Sequence, residues 1–314
     1  MGIKDLNTVL KKYCPTYVHS MCLKEYAFQK IAVDISLYLY KYKAIAKSAL
    51  DDVPESEITS YWISLFLDLI CCLRSADIHC IFIYDGIAPP DKIIEQQRRR
   101  ESLVLQKNKI ERLELELTEY LNDNTKIGEE IKKLCSITSL FNNLPLKVNI
   151  DTIKEKIRKM KSMIDISPTK EDIQLTKNLF DLLEIPYMTA PDEAERYASQ
   201  LCVLGIIDCV LSEDTDVMAY GTPIFLTKID TRSRTVSEIR HQHVLNELEF
   251  TKEQFTDLCI LLGSDYNSNI YGYGWVKSYQ YIKKYETIEK VVEQIKEELE
   301  VKAKDKVDIN VYFV

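Results

Sequence analysis

Three apolar runs, each ending in a carboxylate, constrain this chain more than any other feature. Residues 30–34 read Lys-Ile-Ala-Val-Asp, and residues 78–85 read Ile-His-Cys-Ile-Phe-Ile-Tyr-Asp, with Gly86 directly after. Residues 206–216 repeat the design, passing from Ile-Ile-Asp-Cys-Val-Leu into Ser212-Glu213-Asp214-Thr215-Asp216. Continuous apolar runs of this kind suit strands covered on both faces. Between them, residues 35–49, 57–74, 172–184 and 193–204 carry apolar positions at helical spacing. The alternation predicts an α/β fold with a mostly parallel central sheet flanked by helices. Ligands of such sheets gather beyond the carboxyl ends of the strands, where these acids fall.

Residues 91–166 break the pattern. Ile110, Leu113, Leu117 and Leu121 lie at helix spacing, as do Ile127, Ile131 and Leu134, and then Ile153, Ile157, Met160 and Ile164. Breaks fall at Asn122-Asp123-Asn124 and Asn142-Asn143-Leu144-Pro145. The spacing predicts a helical insertion that packs on itself; the plain alternative is a solvated helical hairpin with no ligand. Ser167-Pro168-Thr169 followed by Asp172 predicts the cap where the α/β body resumes.

Forty-one basic against 49 acidic residues give a net charge of −8, which argues against generic electrostatic binding of nucleic acid. Nine scattered cysteines without a CxxC pair, and only four histidines, give no zinc pattern. The cysteines are expected to be small buried residues of an intracellular, reducing compartment. No membrane span and no secretory leader are expected, since no apolar run approaches the ~20 residues a span requires. Met1-Gly2 resembles the start of a myristoylation signal, but Leu6 stands where Ser or Thr is needed.

Seven acids form the chemical candidate. Asp34, Asp85, Asp214 and Asp216 end strands, and the last two share one face of extended chain. Glu193 and Glu195 follow Pro191 at the opening of a helix, and Asp265 follows Leu261-Leu262-Gly263-Ser264 at a turn. Gathered together, such acids would raise each other's pKa values, a conflict that divalent cations resolve. All-oxygen donors favour Mg²⁺ or Mn²⁺ over Zn²⁺. Two such ions could activate a water and stabilise the leaving oxygen of a phosphodiester.

Certain blocks carry a resemblance. They are Met1-Gly-Ile-Lys-Asp-Leu6, Ile31-Ala-Val-Asp34-Ile-Ser36, Tyr84-Asp85-Gly86 with Pro89-Pro90, and Ala190-Pro-Asp-Glu193-Ala-Glu195. Ser212-Glu-Asp214-Thr-Asp216 with Ala219-Tyr-Gly-Thr-Pro223 follows, then Glu253-Gln-Phe-Thr-Asp-Leu-Cys-Ile-Leu-Leu-Gly-Ser-Asp265-Tyr266 and Gly272-Tyr-Gly274. In this order they resemble the flap endonucleases of the XPG-type structure-specific 5′ nuclease family, over residues 1–100 and 172–290. The resemblance implies a PIN-like core with nuclease regions at 1–90 and 167–314, a helical arch at 91–166 and a helix–two-turn–helix near 260–290. It implies that the seven acids hold two Mg²⁺ ions, with Mn²⁺ able to substitute. The implied reaction cuts branched or flap DNA near its junction during replication or repair, leaving a 5′-phosphate, with 5′ exonuclease action as a second mode. Lys92 and Arg99, seven residues apart and so on one helix face, would neutralise charge at the scissile phosphate. Tyr40 would stack on a base, with Tyr38 and Tyr42 as core neighbours, and Lys47 would meet a phosphate. Gly272, Gly274 and Lys277 would engage the downstream duplex, with K⁺ bound at the backbone.

Departures accompany the likeness. Trp275 and Ser278 replace the family's Pro and Ala, and the Asp85–Glu193 interval of 108 residues is longer than the family pattern. No sliding-clamp motif follows the last block, and a monomer in the nucleus or at a site of DNA replication is expected. Two alternatives stand beside this reading. One is a DNA-structure-binding protein without catalysis. The other is a haloacid-dehalogenase-like phosphatase using Asp214-Thr215-Asp216, which leaves Asp34, Asp85 and Asp265 without a role.

Overall fold

The computed structural model describes residues 2–50, 53–123, 127–139, 149–164 and 166–305. In chain order its elements begin with α1 (Leu6–Tyr13), β1 (His19–Cys22), β2 (Lys30–Asp34), α2 (Ile35–Ala49), α3 (Glu55–Arg74) and β3 (His79–Tyr84). The insertion holds α4 (Ile93–Asn122), α5 (Glu129–Ser139) and α6 (Ile150–Ile164). Then come α7 (Lys170–Leu182), β4 (Tyr187–Thr189), α8 (Ala194–Val203), β5 (Cys209–Leu211), α9 (Asp216–Ala219), β6 (Ile224–Asp230) and β7 (Thr235–Arg240). The helices α10 (His241–Leu248), α11 (Lys252–Leu262), α12 (Trp275–Tyr285) and α13 (Ile288–Asp305) close the order. All four predicted helical segments are present, as α2, α3, α7 and α8. The chain divides into two compact units, one of residues 1–37, 70–89 and 184–314, the other of residues 38–69 and 90–183.

The first unit is built on a seven-stranded mixed sheet in the order β1-β7-β6-β5-β2-β3-β4. The central pairs β5–β6, β2–β5, β2–β3 and β3–β4 are parallel, while β6–β7 and β1–β7 are antiparallel. The chain moves from β2 to β3 on one side and returns to β5 on the other, so β2 borders a topological switch point. Ile31, Ala32 and Val33 are fully buried, as β5 is throughout, which explains why both sequences read as unbroken apolar runs. Leu6, Val210, Phe225, Leu258 and Ile282 share one core from α1 to α12. Cys14, Cys72, Cys80, Cys202, Cys209 and Cys259 are buried thiols as expected, whereas Cys22 and Cys71 are exposed.

The second unit is helical. Within it Trp62 and Phe66 of α3 pack edge-on, Phe66 meets Tyr42 of α2, and the Trp62 indole donates to the Leu39 carbonyl at 3.3 Å. By length and composition alone α3 is apolar enough to cross a bilayer, contrary to the expectation that no segment is. The helices α4, α5 and α6 bury Ile110, Leu113, Leu117, Ile131, Ile153 and Ile157 in a separate core, as the spacing predicts. Leu121, one residue from the end of α4, is instead 48% exposed. Glu116 of α4 accepts from the amides of Glu130 and Ile131, capping α5 with a charge that suits its positive end. The expected break at Asn142–Pro145 lies outside the described residues. Thr169 caps α7 as predicted: its hydroxyl accepts from the Asp172 amide, and the Asp172 carboxylate accepts from the Thr169 amide at 2.7 Å.

Deleting the Leu113 side chain opens a cavity where the three insertion helices meet. Leu113→Ala is expected to cost α4–α6 ~2–5 kcal/mol, read as lost hydrogen-exchange protection across those helices with little change in the sheet.

Candidate metal centre

The register of the sheet begins the site. Val33 pairs with Leu211, so the next residues along the two strands, Asp34 and Ser212, come together beyond the strand ends. The Ser212 hydroxyl donates to Asp34 Oδ2 at 2.9 Å, and the Ser36 amide donates to Oδ1 at 3.1 Å. The same hydroxyl accepts from the Asp214 amide at 3.1 Å, and Asp214 Oδ1 accepts from the Asp216 amide at 3.0 Å. One short chain of hydrogen bonds therefore spaces three carboxylates.

Asp85 follows β3, the other neighbour of β2. The amide of Ala194, first residue of α8, donates to Asp85 Oδ1 at 2.9 Å, the match expected between an anion and a helix N-terminus. The backbone reinforces it: Ala190 donates to the Tyr84 carbonyl at 2.8 Å and Gly86 to the Asp192 carbonyl at 2.6 Å. Glu193 caps α8 and Glu195 lies in its first turn, so both carboxylates open the helix that Asp85 touches. The Tyr266 hydroxyl donates to Glu193, tying in the turn that carries half-buried Asp265.

Burial and crowding show in the ionisation of these groups. Asp34, 1% exposed, is pushed up to about 7, chiefly by burial and then by Asp85, with Asp214 adding and Ser212 opposing. Glu195 is pushed up to about 9, again chiefly by burial, then by Asp34, Glu193 and Asp85. Asp214 and Asp216 are buried as well, whereas Asp85 is exposed at the rim. The sheet and α8 thus bring Asp34 near Asp85, Asp214 and Glu195, and Glu195 near Glu193 and Asp85. Among the described residues no three His, Cys, Asp or Glu side chains close on one ion-sized point. The donors are all carboxylate oxygens, the chemistry that suits a hard divalent cation.

Three contributors were not read from the sequence. Ser212 and Tyr266 owe their roles to strand register and to a turn, and each adjoins a predicted ligand in the chain. The third is Gly2, at φ +91°, lying against the acids: a Cβ there would overlap Asp214 Oδ1 and stand 2.5 Å from Thr215 Oγ1 and 2.9 Å from Asp216 Oδ1.

The remaining candidates are reported each within its own unit. Tyr40, in the helical unit, is 43% exposed while its neighbours Tyr38 and Tyr42 are buried, and Lys47 is half-buried on the same helix. Lys92 ends a 3₁₀ turn at the start of α4; Arg99 donates from Nε to Glu95 at 3.0 Å, an i,i+4 pair overlooked in the sequence. In the sheet unit Gly272 has φ +82°, whereas Gly274 caps α12 with an ordinary φ of −73°. The Lys277 ammonium lies over the Tyr273 ring at 4.7 Å. The departures there have physical causes: Trp275 meets Tyr13 edge-on, and the small Ser278 side chain is buried, bonding back to the Gly274 carbonyl at 3.3 Å.

The chain is similar to known proteins over most of its length. Residues 1–105 match the XPG N-terminal domain and residues 184–265 the XPG I-region. A probable RAD2-like endonuclease, 369L of Invertebrate iridescent virus 6, is 33% identical over 306 residues, covering 93% of this chain and 73% of the relative. Flap endonuclease 1 of Enterocytozoon bieneusi is 30% identical over 296 residues, covering 93% and 72%. Among solved structures, the catalytic core of Rad2 with DNA substrate has the same fold at a TM-score of 0.65 and 20% identity, covering 98% of this chain and 77% of that one. Flap endonuclease-1 from Methanococcus jannaschii gives 0.56 at 22%, covering 95% and 80%.

Two outcomes follow from the crowding. Without divalent ions, the Glu195 contribution to stability is complete below the ordinary carboxylate value of ~4.3 and is lost as pH rises through about 9. Buried His241, held down to about 4, acts oppositely but only below the ordinary histidine value of ~6.5. Melting in EDTA from neutral pH up to about 9 should therefore show a falling Tm, less steep in Glu195→Gln and reversed by Mg²⁺; a flat profile contradicts the shared burial. Gly2→Ala should leave Tm within a few degrees but lower the turnover of flap DNA by ~10-fold or more, since Asp214 and Asp216 must shift.

Proposed function

The chain belongs to the XPG family of structure-specific 5′ nucleases of DNA replication and repair, and on that footing we propose the following division of labour. The protein is a metal-dependent endonuclease acting on DNA, and the substrate we assign is a duplex with a 5′ flap, cut near the junction to leave a 5′-phosphate. Asp34, Asp85, Glu193, Glu195, Asp214, Asp216 and Asp265 would hold two Mg²⁺ ions, or Mn²⁺ in their place. Such ions, when bound, activate a water and stabilise the leaving oxygen of a phosphodiester.

The chain's own groups prepare that reaction. Ser212 and the Ala194 amide fix the carboxylates of Asp34 and Asp85, and Tyr266 fixes Glu193, so the donors are oriented before any ligand arrives. Lys92 and Arg99 would offset the charge that builds on the phosphate, with Glu95 holding the Arg99 guanidinium until substrate competes for it. Exposed Tyr40 would stack on a base beside the cut, and Lys47 would meet a neighbouring phosphate. The Gly272–Gly274 turn would present backbone amides and a K⁺ site to the downstream duplex, with Lys277 alongside. Residues 91–166 would form the arch over the flap, between nuclease regions at 1–90 and 167–314, in a protein that works as a monomer where DNA is replicated. The phosphatase alternative is set aside, because the family match extends on both sides of Asp214.

The observation that carries this reading is the meeting of acids from three strand ends at one switch point, with Asp34 and Glu195 raised by burial and then by their neighbours. Hydrolysis of a 5′-labelled flap duplex tests it. Asp214→Ala and Asp85→Ala should each remove at least ~100-fold of the rate in Mg²⁺, about 2.7 kcal/mol of barrier, and EDTA should abolish cutting. Retained cutting by either variant contradicts the assignment, and tight flap binding with no cleavage in Mg²⁺ or Mn²⁺ favours a binding protein.

A further inference from the structure

Lys43 stands out in the helical unit because it is a lysine where packing alone would call for a leucine. It is only 7% exposed, and its ammonium donates to Asp172 Oδ2. Burying a charge of this kind costs several kcal/mol unless a partner and further hydrogen bonds compensate. Asp172 supplies them, since the same carboxylate oxygen accepts from the Thr169 amide and the residue sits in the first turn of α7, where negative charge is favoured. Burial alone would raise Asp172, yet the hydrogen bonds from Lys43 and Thr169 outweigh it and hold the carboxyl below its ordinary range.

The position of Lys43 along α2 gives the pair its meaning. Tyr40, Lys43 and Lys47 are spaced i, i+3 and i+7, one stripe of a single helix. The outer two are the exposed tyrosine and the half-buried lysine assigned above to DNA, and the middle one is locked inward. Between α2 and α3, Tyr42 packs on Phe66 and the Trp62 indole donates to the Leu39 carbonyl, which set how these two helices meet. The Lys43–Asp172 pair ties α2 to a further element, the capped first turn of α7, and adds a restraint on the rotation of α2 that the contacts to α3 do not supply.

We propose that Lys43 and Asp172 are positioning residues for DNA cleavage: their buried ion pair fixes the rotation of α2 and so the angle at which Tyr40 is presented to a base of the substrate. The inference rests on the stacking role given to Tyr40, and the pair itself touches no reacting atom. It is a device outside the sequence blocks that carry the family resemblance.

The test uses the full chain and a flap duplex carrying 2-aminopurine beside the cleavage site, with stacking read by fluorescence and chemistry by single-turnover rate. Lys43→Met should fold, because Asp172 keeps its cap and its helix terminus. It is expected to lower the single-turnover rate by about 10-fold with flap affinity changed far less, and to shift the 2-aminopurine signal as Tyr40→Ala does. Asp172→Asn should give the same pattern, and the double variant Lys43→Met/Asp172→Asn, which leaves neither charge buried alone, serves in place of either single variant if that is unstable; Lys43→Arg should restore most of the rate. Combined with Tyr40→Ala, Lys43→Met should add little further loss, since both act through one contact. If Tyr40→Ala changes signal and rate while Lys43→Met and Asp172→Asn do not, or if the losses simply add, the positioning role is wrong. If Tyr40→Ala itself changes neither, the stacking role fails, and the inference fails with it for that separate reason.

Discussion

The repulsion among carboxylates taken out of water governs how this structure is put together. Parallel strands that are apolar along their length deliver Asp34, Asp85 and Asp214 to one end of the sheet, and burial there disfavours charge on Asp34, as the neighbouring Asp85 and Asp214 do. The arrangement persists because other groups hold the acids apart at fixed distances. The Ser212 hydroxyl bridges Asp34 and the Asp214 backbone, the first amide of α8 faces Asp85, and Tyr266 engages Glu193. Ionisation of the site and capture of cations then become one event, because a carboxyl raised to about 7 or 9 is a good ligand only once a cation favours its charged form.

How much of this could be read from the chain depends on the range of the interaction. The strands and their terminal acids were legible because a strand buried on both faces writes its environment into every residue, as Ile31, Ala32 and Val33 do. The insertion was legible for the same reason at helical period, up to Leu121, which keeps the spacing but reaches the end of α4 half exposed. Ser212, Tyr266 and Gly2 were not legible, because strand register, a turn and a positive φ leave no periodic trace. The apolar character of α3 was underestimated, since its serines and Thr59 interrupt the run without lowering its mean hydropathy much. Residues 38–69 group with residues 90–183, and contacts such as Lys43 to Asp172 follow from tertiary choice, not local pattern.

Helix α2 joins these themes. It starts one residue after Asp34 and carries in sequence the core tyrosines Tyr38 and Tyr42, exposed Tyr40, buried Lys43 and half-buried Lys47. Alternation of exposed and buried tyrosines on opposite faces of the helix is a fold decision made by the apolar stripe against α3. The stripe left outside is then available for a ligand whose bases present flat apolar faces.

The net charge of −8 bears on how such a ligand would be gripped. A protein that neutralises many phosphates binds with a steep dependence on salt, and its affinity comes mainly from counterion release. Only a few of the 49 acids stand where divalent ions would offset them, and cations such as Arg98 and Arg99 are paired with Glu95. A phosphate must displace those carboxylates, so each contact yields less than a free lysine would. On the roles proposed above, discrimination would come from geometry: the presentation of an aromatic side chain, amides at a glycine turn, and a ligand sphere spaced by hydrogen bonds. Such a chain would be suited to reject plain duplex and to act only where the branch of the nucleic acid satisfies all of these contacts together.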